Sequence, residues 1–152
     1  MANYKASQIV SNTAFMQAFG NLTGGDDTVT VPALLATNDT IDLIRIAGGT
    51  RLQHLSKVNG RLDNGTTLQY SIGVRPVDAN GLVQTNSQFF ASAGQSDLQG
   101  AVTGGSPTRF SFPPVDFNED VFITMTVNAG ATSVSGFPTI TTYFSGVARG
   151  IK

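Results

Sequence analysis

Thr66, Leu68, Tyr70, Ile72 and Val74 alternate with Thr67, Gln69, Ser71, Gly73 and Arg75 directly after Asp63-Asn64-Gly65, and no other stretch constrains the chain as tightly. Successive side chains of an extended backbone point to opposite sides, so this pattern gives one buried and one wet face. A slip of one residue would expose the whole apolar set, each member worth about 1.5 to 3 kcal/mol when buried. Asp, Asn and Gly tolerate the positive φ of tight turns. The spacing therefore predicts a β-hairpin, with residues 50–62 as its first strand.

The same period recurs near the end of the chain. Val121, Ile123, Met125 and Val127 alternate with Phe122, Thr124 and Thr126, and Ile140, Thr142, Phe144 and Gly146 with Thr141, Tyr143, Ser145 and Val147. Residues 40–47 break alternation at Leu43-Ile44, which predicts a bulge or burial on both faces. Residues 28–31 read as a short strand between a Gly24-Gly25-Asp26-Asp27 turn and Pro32, and residues 109–112 as another, cut by Pro113-Pro114. Seven or eight short strands predict an all-β fold, an antiparallel β-sandwich of jelly-roll-like form. With 17 Gly, 6 Pro and only 12% charged residues, the composition leaves little room for helix. At 152 residues the chain is one folding unit without internal repeats.

Two segments escape this regularity. Ile9, Val10, Phe15, Met16 and Phe19 are apolar without alternation, and Ser11 or Asn12 is placed to cap a short helix ending at Gly20. Residues 1–22 are thus expected to form an N-terminal arm, on the chain's own core or on a neighbour, ahead of a β-sandwich domain over residues 23–152. Residues 77–108 form a loose run of turn formers around Phe89-Phe90, with room for a short strand or one helical turn, and a loop that long is more often a contact surface than filler.

Residues able to do chemistry are scarce. The net charge is -1 and the nine Lys and Arg are scattered, so no basic footprint for nucleic acid exists. No run of 18 apolar residues suggests a membrane span, and MANYKASQIV lacks the apolar centre of a signal peptide, so a chain made in the cytoplasm is expected. Without cysteine there is neither a disulfide nor a thiolate metal site. His54 is the only histidine and falls inside an expected strand, with no G-x-S-x-G motif to accompany it; a structural role is expected. Asp116, Asn118, Glu119 and Asp120 offer hard oxygen ligands but lack the spacing and glycine of a calcium loop, so a solvated turn is the plainer reading. Asp26 and Asp27 need no ligand to explain them. The sequons at Asn21, Asn38 and Asn64 matter only for a secreted eukaryotic chain. No cofactor, metal or catalytic residue is expected.

Taken in order, the short arm, DTIDLIRIAGGTRLQHLSKVNGRLDNGTTLQYSIGVRPVD, the loose stretch with SQFFASAG, and EDVFITMTVNAGATSVSGFPTITTYFSGVARG resemble the bacteriophage capsid decoration proteins, also called cement or head-stabilisation proteins. The likeness covers roughly residues 36–150 and lies in the order of strands and turns. Residues 52–62 and 68–74 match the family's Asp/Asn/Gly-rich hairpin, and residues 121–148 its closing strand pair; the length of residues 79–107 departs from the pattern.

The resemblance implies a non-enzymatic virion protein made in the host cytoplasm and carried on the outer surface of an icosahedral head. Its implied partners are the major capsid protein and copies of itself, a homotrimer ahead of a homodimer, with no nucleic acid or membrane. Residues 2–22 and 84–108 are the surfaces expected to meet capsid or sister subunits, with Ile9, Phe15, Met16, Phe19, Phe89 and Phe90 as apolar anchors. One rival is a carbohydrate- or receptor-binding β-sandwich of a phage tail or adhesin, which would show aromatics on exposed loops. The other is a jelly-roll hydrolase using His54.

Overall fold

The computed structural model describes residues 1–10, 17–19, 22–31, 33–65, 67–95 and 108–149. Among these, eleven strands make two sheets that enclose one core: β1 (Asn3–Lys5), β2 (Gln17–Phe19), β3 (Leu22–Thr30), β4 (Thr40–Ile46), β5 (Thr50–Asn59), β6 (Gln69–Pro76), β7 (Asn86–Gln95), β8 (Thr108–Arg109), β9 (Val115–Phe117), β10 (Val121–Ala129) and β11 (Thr139–Ala148). Sheet A runs β1-β4-β10-β6-β7; sheet B runs β2-β3-β11-β5-β8, with β9 also on β5. From β3 to β6 the chain alternates between the sheets at every strand. The last two strands then take central places, β10 between β4 and β6 and β11 between β3 and β5. The result is the all-β, jelly-roll-like sandwich that alternation predicts.

The expected hairpin at Asp63–Gly65 is not one. β5 belongs to sheet B and β6 to sheet A, so residues 60–68 form a corner between sheets rather than a turn between paired strands. The turn chemistry was legible, but the pairing is non-local: β10 takes the edge of β6 that a hairpin partner would occupy. β6 instead pairs on its other edge with β7, through two register shifts. Gly73 permits this, because a Cβ there would collide with the main-chain oxygen of Asn86. The run around Phe89-Phe90, expected to be a loose loop with room for a short strand or one helical turn, carries the ten-residue strand β7.

The break at Leu43-Ile44 is a bulge. Ile123 faces Ile44 and Thr124 faces Asp42, leaving Leu43 as the extra residue and keeping Ile41, Ile44 and Ile46 on the core face. Leu68, Tyr70, Ile72 and Val74 are all buried as expected, as are Val121, Ile123, Met125 and Val127. On the outer face of sheet A, Phe122 lies in register between Arg45 and Arg75. The Arg75 guanidinium sits 4.4 Å from that ring and donates from Nε to the fully buried Asp42 carboxylate at 3.0 Å.

Gly24-Gly25-Asp26-Asp27, expected to be a turn, lies inside the nine-residue β3. The glycines let β3 run close against β11, where a Cβ on Gly24 would stand 3.0 Å from the carbonyl oxygen of Phe144. A tertiary pairing thus overrides weak strand propensity.

Residues 1–10 are built into the sandwich. β1 runs parallel to β4, Ala6 donates its N–H to the Asp42 carbonyl at 3.0 Å, and the Ala2 N–H reaches Asp39 Oδ1 at 2.6 Å. The expected helix ending at Gly20 is absent where described. The only helix among the described residues is a single turn, Ser7–Val10, and Gln17–Phe19 is strand, paired with β3.

Candidate interaction surfaces

One end of the sandwich is organised by Asp63. Its side chain is buried, Oδ1 accepting the N–H groups of Gly65 (2.9 Å), Thr132 (3.0 Å) and Ser133 (3.3 Å), and Oδ2 those of Leu68 (3.0 Å) and Thr67 (3.2 Å). Burial alone would raise its pKa. The backbone donors outweigh that and lower it to about 2.

Beside this corner opens a cleft of about 470 Å³ lined by Gly60, Arg61, Asn64, Ser135, Phe137, Pro138 and Thr139. Phe137 is 72% exposed, Arg61 donates to the Asn64 carbonyl at 3.1 Å, and the Asn64 amide donates to Ser135 Oγ at 2.9 Å. Sequence reasoning passed over this site. Its only signal was an aromatic between Gly136 and Pro138, with no strand to bury it.

At the other end the acidic run is a set of clamps rather than a solvated turn. Asp120 accepts the Gly48 N–H at 2.8 Å and pairs with Arg45. Burial would raise its pKa, but the Gly48 N–H and Arg45 bring it below the usual value. Glu119 accepts the N–H groups of Leu82, at 3.0 Å, and Val83, and Asp116 faces Arg149 at 3.9 Å. These carboxylates tie the β6–β7 connection and the β4–β5 turn to the strand that follows them. Among the described residues no group of three or more His, Asp or Glu is placed to hold a metal. The clamped connection presents Leu82 at 90% exposure.

His54 lies on the outer face of sheet B, opposite Ser145 in the ladder, and its ring makes no hydrogen bond to another described residue. Among the described residues neither a nucleophile nor an orienting carboxylate is bonded to it.

The six expected anchors are not gathered into one patch. Ile9 is half-buried and packs on the core next to β1, at one edge of sheet A. Phe89 and Phe90 lie on β7, at the opposite edge. Phe89 is 40% exposed, whereas Phe90 is buried, edge-to-face with Phe89 at 4.9 Å and with Phe112 at 4.8 Å. Phe90 therefore helps close the side of the sandwich, and its neighbour faces outward. Phe19 ends β2, the edge of sheet B. Phe15, Met16 and residues 96–107 lie outside the described residues.

The fold defines the class of protein: a two-sheet, all-β sandwich shared over nearly its whole length with chains of phage capsids. One such chain, from the capsid of Ralstonia phage GP4, is 17% identical with a TM-score of 0.69, covering 96% of this chain and 98% of that one. A second, from the cyanophage Pam1 capsid asymmetric unit, is 13% identical with a TM-score of 0.64, covering 86% and 88%. A third, from the acidic stable capsid structure of Helicobacter pylori bacteriophage KHP30, is 12% identical with a TM-score of 0.53, covering 88% and 94%. At these identities the likeness is one of fold. No family model and no curated protein matches the chain.

Proposed function

We propose that this chain is a non-enzymatic structural component of a phage virion, bound to the outside of an icosahedral head, where it stabilises the shell by bridging capsomers. The observation that carries this reading is the end-to-end likeness of fold to three chains from phage capsids. Two features support it. The carboxylates of Asp63, Glu119 and Asp120 are engaged in holding loops rather than poised for catalysis. The segments singled out as contact surfaces also lie at sheet edges, β2 in sheet B and β7 in sheet A, where main-chain groups are open to pairing with a neighbour.

On this reading the partners are the major capsid protein and further copies of this chain, with Phe19 and Phe89 as edge anchors. Many copies multiply a modest contact into large avidity. Co-sedimentation of the purified chain with phage heads lacking accessory proteins tests this. Saturable binding that raises the heads' resistance to heat is expected, and absence of binding would remove the shell from the account.

The open cleft with Phe137, Arg61 and Asn64 favours a second reading, a glycan-binding module. A glycan array with Phe137→Ala as control separates the two: specific binding abolished by the substitution would support the module.

A further inference from the structure

The outer face of sheet B has two halves that complement each other, and we infer that the chain pairs with a second copy of itself through that face. Along β11 and β5 the outward residues stand side by side in the ladder, Tyr143 beside Ser56 and Ser145 beside His54. One strand further out on each side, Asp26 of β3 and Arg109 of β8 flank the Tyr143–Ser56 pair in the same row. The row therefore reads acidic, aromatic, small, basic. Tyr143 is 43% exposed, while the small side chain of Ser56 beside it is buried. Asp26 and Arg109 are both exposed.

Consider a half-turn about an axis lying in this face, parallel to the strands and midway between β11 and β5. It lays β11 of one copy over β5 of the other, and β3 over β8. Each side-by-side pair then becomes a pair across the interface: Tyr143 over the small Ser56, His54 over Ser145, Asp26 over Arg109. Large meets small and acid meets base, and the symmetry of an isologous contact makes every match twice. A two-fold axis running across the strands through the same row would instead stack Asp26 on Asp26 and Arg109 on Arg109. The order of charges thus selects one of the two arrangements.

Three strands of nine or ten residues with the two-residue β8 beside them, about 4.8 Å apart at roughly 3.4 Å per residue, offer on the order of 500 Å² per copy. At about 1,000 Å² for the two copies together, the pair falls in the range of weak or transient contacts. The contact is two-fold, whereas the resemblance puts a homotrimer ahead of a homodimer. It rests on the ladder register alone, so it holds or fails independently of the shell reading.

Sedimentation equilibrium of the full chain from about 1 to 100 μM tests the pairing. A monomer–dimer equilibrium is expected. Asp26→Arg or Arg109→Asp alone should weaken it at least tenfold, and the two together should restore it to within a few-fold, because the swapped charges again face each other. Tyr143→Ser should also weaken it at least tenfold while leaving the circular dichroism spectrum and melting temperature close to the parent's, which separates lost pairing from lost folding. A monomer throughout the range, a trimer, a dimer indifferent to the single reversals or to Tyr143→Ser, or a double reversal that fails to regain pairing while folded would overturn the inference.

Discussion

Oδ1 of Asp63 accepts the backbone N–H of Thr132 at 3.0 Å across a sequence separation of 69 residues, joining the corner after β5 to the loop between the two central strands. The same carboxylate holds the first turn of β6 through Leu68. One side chain therefore sets where the chain crosses from sheet B to sheet A and where β10 hands over to β11.

Removing it should be costly. Asp63→Ala leaves several buried N–H groups without an acceptor, and buried donors orphaned from a charged partner cost about 1 to 3 kcal/mol or more together. A loss of about 3 kcal/mol is expected, seen as a melting temperature about 6 to 12 °C lower for a chain of this size. Asp63→Asn, which keeps one acceptor oxygen, should lose less. A change under 0.5 kcal/mol in chemical denaturation of Asp63→Ala would contradict the role assigned to this corner.

The acid limb of stability follows from the same group. Its pKa is about 2 in the fold against an ordinary 3.8, so the folded state binds the proton less readily than the unfolded chain. The stabilisation is fully present above pH 3.8 and is lost as pH falls through about 2, amounting to about 2 kcal/mol. Asp120, also lowered, acts in the same direction. Urea unfolding between pH 5 and 2 should show this loss in the parent, with a shallower slope in Asp63→Asn. Identical slopes would mean that another group carries the acid limb.

Arg75 and Asp42 are unequal partners. The carboxylate is fully buried while the Arg75 side chain is 29% exposed and its guanidinium rests on Phe122. Arg75→Ala strands a buried charge and should cost about 3 to 5 kcal/mol. Asp42→Ala leaves an arginine that still reaches water and should cost less. The reverse order in equilibrium unfolding would show that the solvent-side packing of Arg75 matters little.

Neighbouring phenylalanines on β7 should separate folding from binding. Phe90→Ala opens a cavity against Phe112 and should cost about 3 kcal/mol. Phe89→Ala, at an exposed position, should change stability by less than about 1 kcal/mol yet weaken co-sedimentation with heads. Equal head binding by the Phe89→Ala variant would take this edge out of the contact.

Much of the sandwich was legible because one face of a strand leaves a period of two. β10 and β11 show it, and of the two readings of the Leu43-Ile44 break, a bulge or burial on both faces, the bulge is seen against Ile123. What stayed hidden was set by distant partners. Asp63-Asn64-Gly65 specifies a turn, but whether the next strand pairs with the last or crosses to the other sheet depends on β10, far along the chain. Gly24 to Asp27 carries turn formers yet lies in a strand because β11 needs a close neighbour. β7 has small polar residues and two register shifts, so no period survives in its sequence. Of the candidate site, Phe89 and Phe90 were found together, but only the structure separates the outward ring from the core ring. The Phe137 cleft had no periodic signal at all.

Electron cryo-microscopy of phage heads incubated with the purified chain tests the central claim most directly. Ordered density on the outer surface, fitted by the two-sheet sandwich and spanning the boundary between capsomers, is the predicted result. Heads that stay bare at saturating protein, or density confined to the interior, would contradict it.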